Sequence, residues 1–149
     1  ERVTADKALA RELGCQVGDE WVQISGLRTL GDDGMPICLA NVYVIPDYGS
    51  IAQRLGGSSR PVYEMIAETF KESIENITIR LTAGVLSEQK AAILGAEPGS
   101  PSLSVSRFYQ GRGGRIFEAS ISEHPASNFS YTFEFTRGWQ TADHWSWNN

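Results

Sequence analysis

The sequence has no surplus of basic residues. Its 149 residues carry 13 Lys and Arg against 18 Asp and Glu, for a formal net charge of -5 and an isoelectric point of about 5.0. A chain so balanced lacks the positive surface that phosphate-backbone binding requires, so alone it is not expected to hold DNA or RNA. Cysteine is also scarce. Cys15 and Cys38 are too few for a disulfide scaffold and each lies in an apolar stretch, so two reduced thiols in a cytoplasmic protein is the simpler expectation. No apolar run approaches transmembrane length, and no signal peptide opens the chain. His124 and His144 have no Cys, His or carboxylate at a zinc-like spacing, so neither a metal nor another cofactor is expected. Gly-x-Ser-x-Gly and Ser-x-x-Lys nucleophile settings are missing, and Gly111 to Gly114 reads as a hairpin turn rather than a phosphate loop. The chain starts at Glu1 instead of a methionine, which is read as the loss of upstream residues.

What the chain does have is enough apolar material for one compact core, 41% hydrophobic and 10% aromatic. It also repeats itself. Gln23 to Tyr43 laid over Ser102 to Ser122 at an offset of 79 matches Ile24 with Leu103, Ser25 with Ser104, Arg28 with Arg107, Gly34 with Gly113, Ile37 with Ile116, Ala40 with Ala119 and Pro46 with Pro125. Upstream, Thr4, Lys7 and Ala8 answer Ser87, Lys90 and Ala91, and Leu13, Gly14 and Gly18 answer Leu94, Gly95 and Gly99. A match of this length predicts one supersecondary unit used twice.

Each copy opens on a short helix. Thr4 and Ser87 are the expected caps, and Gly14 and Gly95 the stops. A hairpin follows in each, with Trp21 to Leu30 returning as Pro36 to Ile45 through Asp33-Gly34, a type I′ turn dipeptide. Between the copies, Asp47 to Ser59 reads as an irregular crossing with one helical turn near Ile51 to Leu55. A helix then runs from Pro61 to Lys71, carrying Val62, Ile66 and Phe70 at helical spacing and capped by Ser58 or Ser59. Glu75 to Val85 alternates as a half-buried strand, and Phe129 to Phe135 is expected as the last strand. Together these predict an α+β fold with six strands, mainly antiparallel, flanked by helices. Residues 1–137 would form the domain, with a Trp-rich tail at 138–149.

With a two-residue turn in each hairpin, Arg28 faces Leu39 and Arg107 faces Glu118. A guanidinium on an apolar strand face needs an anionic partner if it is buried. Glu118 would serve Arg107, and nothing near in sequence serves Arg28. Two readings fit: both arginines reach water at strand ends, or Arg28 faces a small anion in a pocket between the hairpins. Glu118, Ser120, Ser122 and His124 form a polar row at period two, either a solvated face or a pocket wall, with Asn41 and Tyr43 the matching row in the first copy. Ser58 and Ser59 stand where backbone N-H groups at a helix start can hold a phosphate or carboxylate.

These pieces in this order resemble the UTRA effector-binding domain of GntR-type transcription regulators of the HutC subfamily. The matching stretches are Ala8 to Gly18, Leu27 to Pro46, Pro61 to Ile66, Ala91 to Gly99, Val105 to Tyr109 and Ile116 to Phe135. The resemblance implies a chorismate-lyase-like fold that acts as a homodimeric sensor rather than an enzyme. It implies a small effector bound in this domain, and operator DNA bound only through a winged helix upstream that this chain lacks. It carries ligand contacts to Arg28, to Asn41, to the helix start near Tyr63, and to the row of Glu118 and His124. Two departures matter. Pro61 stands where phosphosugar-binding relatives have a serine, and Gly26 where some carry a second arginine, which points to a smaller anionic ligand such as a carboxylate or an amino-acid catabolite. A lyase acting on an aromatic carboxylate is the alternative from another class. A third is an interaction module docking through Trp139 and Trp145.

Overall fold

In the computed structural model, which describes residues 1–30, 34–55 and 60–134, the chain is two copies of a strand, helix and hairpin joined across one sheet. The first copy runs β1 (Arg2–Thr4), α1 (Lys7–Leu13), β2 (Glu20–Leu30) and β3 (Met35–Val44). A 3-10 stretch, Pro46–Arg54, and α2 (Val62–Phe70) lead to the second copy, β4 (Asn76–Val85), α3 (Glu88–Leu94), β5 (Pro101–Gln110) and β6 (Ile116–Pro125). The sheet is six-stranded in the order β1-β2-β3-β6-β5-β4, and all its pairings are antiparallel. This is the α+β, chorismate-lyase-like architecture anticipated from the sequence, with one exchange of strands. Residues 129–134 do not join the sheet, and the sixth strand is the short β1, which too few residues mark to be legible alone. Phe135 lies outside the described residues.

The repeat reaches the backbone. Asp6, not Thr4, caps α1 by accepting hydrogen bonds from the amides of Ala8 and Leu9, and Ser87 accepts one from Lys90. Cys15 N-H donates to the Ala10 carbonyl as Ala96 does to Ala91, and Gly18 N-H donates to Ala5 as Gly99 does to Leu86. Gly14 and Gly95 end the two helices in the left-handed region, at φ 69° and 63°. A Cβ on Gly14 would touch nothing within 4 Å, so the cost of Gly14→Ala is conformational. It is expected to lower stability by about 1 kcal/mol, read as a lower urea midpoint at unchanged slope.

The hairpins do not keep the simple register. A bulge between Arg28 and Thr29 sets Arg28 opposite Cys38, with Leu27 opposite Leu39. The second turn uses Arg112–Gly114, with Gly113 at φ 75°, and a shift between Tyr109 and Gln110 places Arg107 opposite Ser120 and Glu118 opposite Tyr109. The expected pairs of Arg28 with Leu39 and Arg107 with Glu118 are therefore both replaced, because the extra turn and bulge residues move each ladder. The pseudo-two-fold axis passes through the Asn41 and Ile121 pair and carries Ala40 onto Ser120. Since Gly26 pairs with Ala40 and Arg107 with Ser120, the structural counterpart of Arg107 is Gly26, and that of Arg28 is Tyr109. The residues that match by letter stand two positions apart in space.

Helices cover the two faces unequally. Leu86, Ala91 and Leu94 pack with Leu39, and Lys90 bridges Glu123 at 2.8 Å, which seats α3 on the face shared by Leu39 and Glu123; α1 takes the related place beside Tyr43. On the opposite face α2 packs through Val62, Ile66 and Tyr63, the last stacked on Tyr109 with ring centroids 4.4 Å apart. Pro61 is the N-cap of α2 and offers no side-chain hydrogen bond. Ser58 and Ser59 lie outside the described residues.

Candidate functional site

Side chains of paired residues in a ladder project to one side, and every second residue joins them. The registers therefore collect Arg28 and Cys38, Ser122 and Val105, Ser120 and Arg107, and Glu118 and Tyr109 on the face that α2 covers, where His124 stands at the same period-two step. Of the expected ligand residues, this brings Arg28, Tyr63, Arg107, Glu118, Ser120, Ser122 and His124 together. Asn41 and Tyr43 project to the other side. There Asn41 accepts hydrogen bonds from Ser25 at 2.7 Å and Gln23 at 3.2 Å, and Tyr43 is buried in the core. Ser59 lies outside the described residues. Tyr109 and Cys38 belong to the constellation although sequence reading passed over them. The signal for Tyr109 was its two-residue step from Arg107.

The row is graded from wet to dry. Arg28 is exposed at the open rim and Arg107 is half-buried inside it. Glu118 is 2% exposed, and its Oε2 has no hydrogen-bond partner among the described residues. Desolvation by that burial pushes the Glu118 carboxyl up to about 8, so near neutral pH it holds its proton and can donate. Burial, helped by the positive charges of Arg107 and Arg28, lowers His124 to about 4 against the pull of the Ile37 backbone, so its imidazole is neutral at pH 7. Ser122 donates to the Val105 carbonyl at 3.2 Å, and His124 Nε2 lies 3.2 Å from the Ser122 hydroxyl. Burial raises the Cys38 thiol, while Arg28, Arg107 and a hydrogen bond from Ser122 draw it down. Tyr109 is raised by burial first and by Glu118 second.

The chain covers part of this face itself. Phe129 stacks on His124 with ring centroids 3.7 Å apart, and Arg107 lies over the Tyr131 ring at 5.9 Å. A concavity of about 820 Å³ lies elsewhere. It is lined by Cys15, Asp19, Trp21, Pro46 and Arg115 among others and contains none of the expected ligand residues. No group of three metal-ligating side chains occurs among the described residues, and no helix there is long and apolar enough to cross a membrane.

The model of the UTRA domain matches residues 1–130. The chain belongs to the UTRA domain family. Among solved structures, one similar to it is the ligand-binding domain of a protein described as a GntR-family transcriptional regulator from Bordetella bronchiseptica. That structure is 25% identical, with a TM-score of 0.72 over 91% of this chain and 84% of that one. A GntR-family transcriptional regulator from Bacillus cereus is 21% identical, with a TM-score of 0.76 over 91% and 93% of the two chains. PhnF from Mycobacterium smegmatis is 19% identical with a TM-score of 0.74, and this UTRA domain covers 60% of that longer chain. The last two likenesses are likenesses of fold. Among curated proteins, none matches this sequence.

Proposed function

We propose that this UTRA domain is the effector-binding and dimerising part of a cytoplasmic GntR-type transcription regulator of the HutC subfamily. A winged helix upstream of residue 1 would hold operator DNA, residues 1–137 would sense the ligand, and 138–149 would form a Trp-rich tail. The observation that carries the reading is the buried Glu118 carboxyl, one oxygen of which has no hydrogen-bond partner among the described residues, on the same helix-covered face as two guanidinium groups. Such a row supplies cations for an anionic group and a neutral donor for a second polar group, in a domain whose relative from Bordetella bronchiseptica is described as ligand-binding. The effector suited to it is a small carboxylate metabolite, such as an amino-acid catabolite. Of the residues first expected to contact it, Asn41 and Tyr43 project away from this face, and the reading rests on the remainder. Signalling is by population shift: a ligand that fits one dimer arrangement better biases the DNA-binding heads.

Titration calorimetry with a panel of amino-acid-derived carboxylates tests the site. For any compound that binds, Arg28→Ala is expected to weaken affinity about tenfold, the loss of one charge-assisted contact at an exposed rim. Unchanged affinity takes Arg28 out of the site. The second reading, a lyase acting on an aromatic carboxylate, is favoured by one observation, an acid raised to about 8 on the same face as Arg107. Incubation with chorismate and assay for 4-hydroxybenzoate separates the two, product formation supporting the lyase.

A further inference from the structure

After β6 the chain turns back over one face of the sheet without joining it. The 3-10 turn Ala126–Asn128 folds it back, and Phe129 resumes an extended backbone at φ -141°, ψ 134°. From there the partly covered Phe129 and Tyr131 alternate with the exposed Ser130 and Thr132, and Phe133 and Glu134 are both exposed. The three rings form a chain of contacts, Phe129 to Tyr131 at 6.3 Å and Tyr131 to Phe133 at 4.7 Å. Phe129 lies flat on His124, its ring inclined by only 18°, and Tyr131 sits under Arg107. This is strand-like patterning without membership of the sheet, because residues 129–134 add no rung to any ladder.

At 3.7 Å between ring centroids nothing fits between Phe129 and His124. A molecule that engages His124 from above must therefore take the place of the phenyl ring. The contacts described for the segment are ring contacts, and both Phe129 and Tyr131 remain partly exposed, so lifting it breaks no strand pairing. We propose that residues 129–131 are a displaceable strap that closes the Arg107 and His124 end of this face and opens by local detachment. The strap rests on the reading of this face as the ligand site only for its purpose, since its opening is observable without ligand. A strap closed most of the time lowers apparent affinity by the fraction of molecules that are open.

Cys38 reports the opening. It is 2% exposed and stands opposite Arg28 on the strapped face, within the fields of Arg28 and Arg107 and hydrogen-bonded to Ser122, whereas Cys15 follows α1 and packs near Trp21. Labelling with a small disulfide reagent at pH 8, with the two thiols resolved by peptide mass spectrometry, gives their rate ratio. Phe129→Ala is expected to raise the Cys38 rate relative to Cys15 at least tenfold, and Tyr131→Ala to raise it less. In the parent, Cys38 labelling should be almost insensitive to low urea, as for local rather than global opening. A ratio within twofold of the parent in both variants, or Cys38 labelling that follows global unfolding in urea, overturns the strap. Because no effector enters the measurement, the strap can fail while the effector reading stands, and the reverse.

Discussion

Between pH 4 and pH 8 the stability of Glu118→Gln relative to the parent is expected to shift in favour of the variant by roughly 3–5 kcal/mol. The cause is the burial of a carboxyl that, folded, ionises near 8 instead of 4.5. In the unfolded chain the proton leaves first as pH rises, so from about 4.5 upward the unfolded state binds fewer protons than the native one and stability falls. The loss starts at the unfolded value and levels off above about 8. Glutamine keeps the shape and never ionises, so its stability lacks this slope. His124 contributes in the other direction: its folded value near 4 lies below 6.5, so stability falls as pH drops through that interval. The two slopes oppose each other below 6.5, and in the parent only the Glu118 slope remains between 6.5 and 8. Urea denaturation of both proteins across this range reads the difference directly. A parent profile that tracks the variant from pH 6.5 to 8 would mean that Glu118 is ionised and solvated when folded.

Phe117→Ala is expected to cost about 3–5 kcal/mol, the usual loss for an aromatic ring taken from a closed core. Phe117 is 1% exposed, meets Tyr48 edge-on at 6.0 Å and Tyr109 at 6.5 Å, and belongs to the cluster that joins α2 and the 3-10 stretch to the sheet. A domain of this size has about 5–15 kcal/mol of stability in all, so the urea midpoint should drop by roughly a fifth or more. Tyr109 is the floor on which Tyr63 stacks, so the void would loosen the candidate site as well. A loss under 1 kcal/mol would show that the surrounding rings collapse into the space, and that the cluster is not close-packed.

Much of the molecule was legible residue by residue. Gly14 and Gly95 stop helices because a left-handed residue there needs no Cβ, and period-two alternation from Glu75 to Val85 marked the strand β4. Only Ile77 and Ile79 are partly covered there, and both faces are exposed from Arg80 on, because β4 is an edge strand. The polar row from Glu118 to His124 read correctly as one face. Register was different. A bulge at Arg28 and a three-residue turn at Arg112–Gly114 each shift the ladder, and no composition signal distinguishes these from the two-residue turn that Asp33-Gly34 advertises. The strand expected at Phe129 to Phe135 failed for a related reason. Alternating aromatics fit a strand and an extended strap equally well, and which one forms depends on whether an edge is free to pair.

Taken alone, the amino-acid sequence determined the fold class, the doubled supersecondary unit, the acidic character of the chain, and the membership of the polar row. These follow from interactions local along the chain or from summed composition. The tertiary structure decided which arginine stands over which strand, that Asn41 and Tyr43 project away from Arg28, that Glu118 is dry enough to stay protonated, and that Phe129 lies on His124. Each of those depends on burial or on pairing between segments far apart in sequence, where a shift of one residue exchanges one face of the sheet for the other.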